Sequence, residues 1–204
     1  MEKVQIPIRL EGVRESVYAG FWVRFAANIL DAIFLSPITF LFIYLASQGV
    51  LLYSIGYILG FVFSLWWGVY LVRHHGGSPG KLVMGLKIIR IDGMEVGWQA
   101  AILRSIVGLV FSLWDLLCVL FILVFLVDVA HFSELPFSAK QAYVQSFYPG
   151  LHEVITWISV IWAISELVVL LLNERKRALH DYIGGTVVIR KIYEPHIRQE
   201  MGLE

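Results

Sequence analysis

Long apolar runs with few interruptions dominate the pattern of hydrophobic and polar positions. From Ala32 to Val72 there is no Asp, Glu, Lys or Arg, and these 41 residues are long enough for two membrane-spanning helices of about 20 residues each. Ser47-Gln48-Gly49 breaks the run. Similar runs occupy Ser105–Val127 and Val154–Leu172. The pattern predicts an all-α membrane protein with four transmembrane helices, at about residues 21–46, 50–72, 99–127 and 152–173.

Composition and charge placement extend this prediction. The chain is 58% hydrophobic and 16% charged, which excludes an ordinary soluble domain. All but one of its 16 Lys and Arg residues lie near the N-terminus, around the connection between spans two and three, or after span four; the exception is Lys140. By the positive-inside rule, both termini are cytoplasmic. We therefore expect a single membrane domain, 1–204, with cytoplasmic segments 73–98 and 174–204 and an outer loop 128–151.

Two short segments outside the spans are rich in β-favouring residues. Leu86–Ile91 runs into Asp92-Gly93, a dipeptide typical of hairpin turns, and Thr186–Ile192 has a similar composition. We expect short cytoplasmic β-strand or hairpin segments after helices 2 and 4, and these can pair into a small sheet.

The same two segments align with each other. Placing Lys81 over Asp181 superposes Gly85 on Gly185 and Arg90 on Arg190. The alignment indicates a parallel internal repeat, two spans followed by a glycine-and-strand segment, although glycine and valine matches also arise by chance.

The outer loop combines His131, His152 and several carboxylates with many aromatic residues. These could form a metal or ligand site, but no two His or carboxylates recur at ligand spacing, and we interpret the loop as an amphipathic interfacial segment. No nucleophile occurs with a base and an orienting acid, and no phosphate-loop motif is complete. We expect no enzyme activity, no cofactor, no metal site and no nucleic-acid binding.

A polar stripe on the first span is the main candidate for function. Arg24, Asn28 and Asp31 are spaced by four and three residues, so they lie on one helical face. A charged residue near the centre of a bilayer costs at least about 2.5–3.5 kcal/mol. The stripe therefore requires polar partners, a bound ion, or both.

The depth of the acidic residues limits what Asp31 can contact. Asp31 lies roughly 16 Å from the cytoplasmic end of its span, and Glu166 lies roughly 10 Å from the same membrane face on span four. Arg24 leans away from Asp31, because Cβ vectors tilt toward the helix N-terminus. We expect the partner of Asp31 to be Glu166, Arg104 or a bound cation; Asp115, on a face similar to that of Arg104, is a further polar candidate. A set of ion pairs that only fixes helix packing stays an open alternative.

Four segments in order along nearly the whole chain resemble the RDD family of membrane proteins: Ala19–Asp31, Gly77–Lys87, Leu103-Arg104 and Arg177–Val188. The resemblance implies that the family's arginine and two aspartates correspond to Arg24, Asp31 and Asp181. It also implies a multi-pass protein of the bacterial cytoplasmic (inner) membrane. Transport of an unidentified ligand is suggested for the family, some members look like sodium/proton antiporters, and a distant eukaryotic relative looks like an assembly partner. Ser78, the outer loop and Glu166 depart from the commoner pattern.

Two hypotheses follow. In the first, the protein is a transporter-like exchanger of Na⁺ or Li⁺ for protons. The residues that bind the ion or proton are Asp31, Glu166, Arg24 and Asn28. A second set of polar residues gates the site or supports its structure: Asp181, His180, Lys81, Arg104 and Asp115. Because four spans enclose little aqueous volume, we expect a homo-oligomer in the lipid bilayer. In the second, the protein is a non-transporting scaffold or assembly factor that docks a partner protein. Lipid headgroup binding near Arg104 and Arg175 is a third alternative.

Overall fold

Four long apolar helices form the frame of the protein in a computed structural model that describes residues 5–13 and 15–203. They are α1 (Phe21–Ser47), α2 (Val50–Leu65) with its continuation, α5 (Trp98–Phe125) and α8 (Pro149–Leu172). Each is long and apolar enough to cross a membrane, which confirms the prediction of a four-span helical protein. Lys3 and Arg14, two of the basic residues used to predict the orientation, lie outside the described residues.

The second span is not a uniform α-helix. After α2 a π-helical turn, Trp66–Tyr70, leads into α3 (Leu71–His75) and then α4 (Pro79–Val83). The carbonyl of Gly68 in the π turn accepts a hydrogen bond of 2.8 Å from Ser105 Oγ on α5. A π turn changes which backbone carbonyls are paired within the helix, and here the serine of another span supplies a partner.

Short helices and two strands complete the described chain. The remaining elements are α6 (Val129–Glu134), α7 (Phe137–Gln145), α9 (Leu179–Ile183), α10 (Glu194–Glu200), β1 (Leu86–Arg90), β2 (Thr186–Arg190) and a 3₁₀ turn (Lys191–Tyr193).

The two strands pair with each other, as the sequence predicts. β1 and β2 are antiparallel, and Ile88 lies opposite Val188. A third piece of chain joins them, because Ala19 N–H donates to Val188 O at 2.9 Å and Arg190 N–H donates to Val17 O at 2.9 Å. Of the two predicted forms, strand or hairpin, the structure has strands: Asp92-Gly93 makes a turn, and the partner strand of β1 comes from the other end of the chain.

The glycine-and-strand segments follow each other at an offset of 100 residues. In each, a five-residue helix is followed by a glycine with positive φ, Gly85 at 67° or Gly185 at 62°, and then by a five-residue strand. A positive φ favours glycine because a Cβ would be strained there. Ile88 and Val188, which are equivalent in the repeat, lie opposite each other, so a local two-fold axis relates the two strands.

The chain divides into two compact units. The first contains the chain through Phe34, Trp66–Val107, and the chain from Ile164 onward; its core includes Tyr18 and Ile189. The second contains Leu35–Leu65 and Gly108–Ala163.

The outer loop supplies two helices, α6 and α7, to the core of the second unit. Phe132 and Val144 are buried there against Tyr53 and Val119. Lys140 is also fully buried, and its Nζ donates to the Ser47 carbonyl at the end of α1 at 2.8 Å. The last carbonyls of a helix have no partner within the helix, so this lysine caps α1.

Candidate functional site

Arg24, in the first turn of α1, donates hydrogen bonds from all three guanidinium nitrogens to acceptors within the protein. Its Nε donates to Ala19 O at 2.9 Å, one terminal nitrogen donates to Asp181 Oδ2 at 2.8 Å, and the other donates to Lys176 O at 2.5 Å. The residue is buried. Each guanidinium nitrogen therefore has an acceptor, which is what a buried cation requires.

Asp181, on α9, is the centre of this polar network. Its carboxylate accepts from Arg24 and from Arg104 of α5, and it also accepts from Thr186 Oγ1 at 3.2 Å and from Ala178 N at 3.1 Å. The side chain is wholly buried. Two guanidinium groups, a hydroxyl and a backbone amide saturate the carboxylate, so it has no free position for an ion.

Glu166 of α8 pairs with His180, the residue that precedes Asp181 on α9. The carboxylate accepts from His180 N at 3.0 Å and contacts His180 Nδ1 at 2.6 Å, while His180 Nε2 lies 2.9 Å from a guanidinium nitrogen of Arg104. Burial, reinforced by the charge of Arg104, lowers the pKa of His180 to about 4. The neutral ring with its proton on Nδ1 fits both contacts, since Nδ1 then donates to Glu166 and Nε2 accepts from Arg104.

Asp31 has a different set of partners. Ser78 Oγ donates to Asp31 Oδ2 at 2.5 Å, and the backbone N–H of Gly80 donates to Oδ1 at 2.7 Å. A Cβ at Gly80 would clash with the carbonyl of Ala27 and would lie 2.7 Å from Asp31 Oδ1. Only glycine allows the backbone of α4 to approach the Asp31 carboxylate so closely.

Lys81 completes the surroundings of Asp31. Its ammonium lies 3.3 Å from Ser78 Oγ, 3.4 Å from Asn28 Oδ1 and 3.8 Å from Asp31 Oδ2. The stripe residues Asn28 and Asp31 thus contribute to one group of oxygens that faces a single cationic group. We call Asn28, Asp31 and Ser78 the oxygen triad.

The expected protein partners of Asp31 are wrong. Arg104 is bound to Asp181 and Glu166 to His180, while the contacts of Asp31 are with Ser78, Gly80 and Lys81. The role of α4 was missed because the sequence pattern gave Lys81 only a gating or supporting role and gave none to Ser78 or Gly80. The available sequence signal for this contact was a serine and a glycine, Ser78 and Gly80, next to Lys81.

Asp115 belongs to the second unit, whereas Arg24, Asp31 and Asp181 belong to the first. Asp115 was predicted to share a helical face with Arg104, but none of the hydrogen bonds or ion pairs of the described residues involves its side chain. Among the described residues, no group of three or more His, Cys, Asp or Glu side chains is arranged to hold a metal ion.

The family model that matches this chain is the RDD family, over residues 18–185. The match begins just before Arg24 and ends just after Asp181, and it includes Asp31 and the Ser78–Lys81 segment. The chain belongs to the RDD family. The family resemblance drawn from the sequence is therefore confirmed.

Two relatives come from Bacillus subtilis (strain 168). "Uncharacterized protein YckC" is 30% identical, and the match covers 83% of this chain and 83% of that protein. "Uncharacterized membrane protein YteJ" is 27% identical, with 45% of this chain and 61% of that protein covered. The name of YteJ and the four apolar helices agree on a multi-pass membrane protein.

Proposed function

We propose that this RDD protein is a membrane transporter that exchanges Na⁺ or Li⁺ for protons at the oxygen triad. The observation that carries the proposal is the position of the Lys81 ammonium, which faces carboxylate, amide and hydroxyl oxygens at 3.3–3.8 Å. Hard cations select such oxygens. A small alkali cation and the ammonium are therefore competitors for the same negatively charged place.

The contacts favour a displaceable ammonium rather than a permanent ion pair. Lys81 Nζ is 3.8 Å from the nearest Asp31 oxygen, whereas Arg24 approaches Asp181 to 2.8 Å. Lys81 is also anchored through a long flexible side chain, and an ammonium can give up its proton more readily than a guanidinium.

The exchange step is balanced in charge and atoms. Na⁺ binds the oxygen triad, the Lys81 ammonium gives its proton to water, and the neutral amine moves aside. The net charge of the site is the same before and after the step. Reversal of the step releases Na⁺ and takes up one proton, so the exchange is one for one.

The Asp181 network has a supporting role in this proposal. It ties α1, α5 and α9 together through Arg24, Arg104 and Thr186. Gating is assigned to Lys81, and Asp181 and His180 hold the helices that present the triad. We place the protein in the bacterial cytoplasmic membrane, in agreement with the bacterial source of its relatives, and we retain the homo-oligomer as a prediction.

Purified protein in lipid vesicles with an internal pH dye tests the exchange. An imposed Na⁺ or Li⁺ gradient should drive proton movement in the wild type, and Asp31→Asn should abolish it. Glu95→Gln is the matched control because Glu95 is an exposed acid whose only ion pair among the described residues is a 3.5 Å contact with Lys87. No proton movement in the wild type, or equal movement in Asp31→Asn, would overturn the proposal.

A second candidate function is a non-transporting scaffold, and the saturated Asp181 network favours it. Buried ion pairs can specify helix packing without binding a ligand. This hypothesis predicts that Asp31→Asn lowers the melting temperature in detergent. It also predicts that Na⁺ does not change the melting temperature of the wild type or of the variant. Stabilisation of the wild type by Na⁺, absent in Asp31→Asn, would count against the scaffold and support exchange.

A further inference from the structure

Asp115, a carboxylate in the second unit, makes no hydrogen bond or ion pair with a described residue, and the side chain of His152 lines a second pocket beside it. Asp115 lies ten residues before the end of α5, about 15 Å along the helix at 1.5 Å per residue. An intramembrane carboxylate without a partner is costly, so a bound group of opposite charge or a proton must compensate it.

The surroundings of Asp115 form a cavity of about 330 Å³ in the second unit. This volume lies at the lower end of the range for small-molecule sites. Five of the twelve lining residues are aromatic, namely Phe42, Tyr53, Tyr57, Phe61 and Phe137. The polar side chains of the wall are the Asp115 carboxylate and a few hydroxyls.

The aromatic part of the wall is held in place by packing. Tyr53 is buried, its ring lies 5.2 Å from that of Tyr57, and it packs edge-on against Phe132 at 5.3 Å. Phe137, from the outer loop, lies 6.4 Å from Tyr53. The rings are thus part of the core of the unit, and the cavity does not depend on a loose surface side chain.

We propose that this cavity binds an organic cation with an apolar body, such as a quaternary ammonium or a protonated hydrophobic amine. Asp115 supplies the negative charge, and aromatic faces attract cations through their quadrupoles. A bare alkali ion fits less well, because it would exchange its hydration shell for one carboxylate and a few hydroxyls. The site is independent of the oxygen triad, which lies in the first unit.

Binding of tritiated benzyltrimethylammonium to the detergent-purified full chain tests the proposal. The wild type should bind it saturably, and Asp115→Asn should weaken binding at least about tenfold, which corresponds to about 1.4 kcal/mol. Glu153→Gln, an exposed acid of the same unit that is not part of the cavity wall, should bind as the wild type does. Absence of saturable binding, or equal binding by Asp115→Asn, would overturn the proposal.

A second pair of variants tests the cavity without changing the carboxylate. Gly60 lines the cavity, and a Cβ there meets nothing within 4 Å, so Gly60→Leu should fill the space and remove binding. Gly108→Leu is the control, since Gly108 is equally open, belongs to the same unit and is not part of the wall. Retained binding in Gly60→Leu, or loss of binding in both glycine variants, would contradict the assignment to this cavity.

Discussion

Asp31 and Asp181 are both buried carboxylates of the first unit, but their partners differ in kind. Asp181 is held by two guanidinium groups, a hydroxyl and a backbone amide, and its side chain is 0% exposed. Asp31 is held by a hydroxyl and a backbone amide, with an ammonium at 3.8 Å, and its side chain is 11% exposed. The difference separates a carboxylate that fixes helices from one whose counter-charge can be exchanged.

The largest effect should come from Asp181→Asn. The substitution leaves Arg24 and Arg104 buried without a full counter-charge, and removing one partner of a buried ion pair costs about 3–5 kcal/mol. The free energy of unfolding in mixed micelles measures this loss. Asp92→Asn, which removes the half-buried partner of the exposed Arg90, should change this free energy by less than about 1 kcal/mol. Similar stability of the Asp92 and Asp181 variants would contradict the assignment of Asp181 as the centre of the network.

Gly80→Ala should have the next largest effect. The new Cβ would meet the Ala27 carbonyl and Asp31, so α4 has to move away from α1, and overpacking of this kind costs about 1–3 kcal/mol. Gly97→Ala is the control because a Cβ at Gly97 meets nothing within 4 Å. Thermal unfolding in detergent compares the two. If Gly80→Ala were as stable as Gly97→Ala, the close approach that shapes the Asp31 site would not exist.

The His180–Glu166 pair should make stability fall in mild acid. The pKa of His180 is lowered to about 4 in the folded protein, against about 6.5 for an unperturbed histidine. As pH falls through 6.5, the unfolded chain takes up a proton that the folded chain does not, so folding stability decreases down to about pH 4. His180→Gln should remove this part of the pH dependence, as measured by melting temperature from pH 8 to pH 4.5. An identical pH profile in the variant would show that His180 is not held neutral.

The smallest effect on stability should come from Lys81→Met. The Lys81 side chain is 19% exposed and its ammonium makes only contacts of 3.3–3.8 Å, so its loss should change the free energy of unfolding by about 0–1 kcal/mol. Chemical unfolding of Lys81→Met and Asp181→Asn under the same conditions measures the free energy of unfolding that each variant loses. A loss for Lys81→Met as large as that for Asp181→Asn would make Lys81 a structural partner.

The spans and strands could be predicted from the sequence because each depends on local properties. Apolar runs of about 20 residues specify helices in a bilayer, and Leu86–Arg90 and Thr186–Arg190 carry β-favouring residues beside turn glycines. The two segments have similar composition, and this similarity suggested that the two strands pair with each other. The turn dipeptide Asp92-Gly93 did not indicate which strand pairs with β1, because that partner, β2, lies 100 residues further along the chain.

The partners within the site could be predicted only in part. Helical spacing and Cβ direction correctly disfavoured Arg24 as the partner of Asp31, but they carry no information on contacts between distant segments. Arg24 and Asp181 are 157 residues apart, and Asp31 and Ser78 are 47 apart. Lys140 shows the same limit, since nothing local indicates that the only basic residue of the outer loop caps α1.

The competition between an alkali cation and Lys81 is tested most directly by saturable binding of radioactive ²²Na⁺ to the purified protein. The account predicts measurable binding by the wild type, binding at least several-fold tighter by Lys81→Met, where the competing ammonium is gone, and none by Asp31→Asn. Equal or weaker binding by Lys81→Met, or undiminished binding by Asp31→Asn, would contradict it.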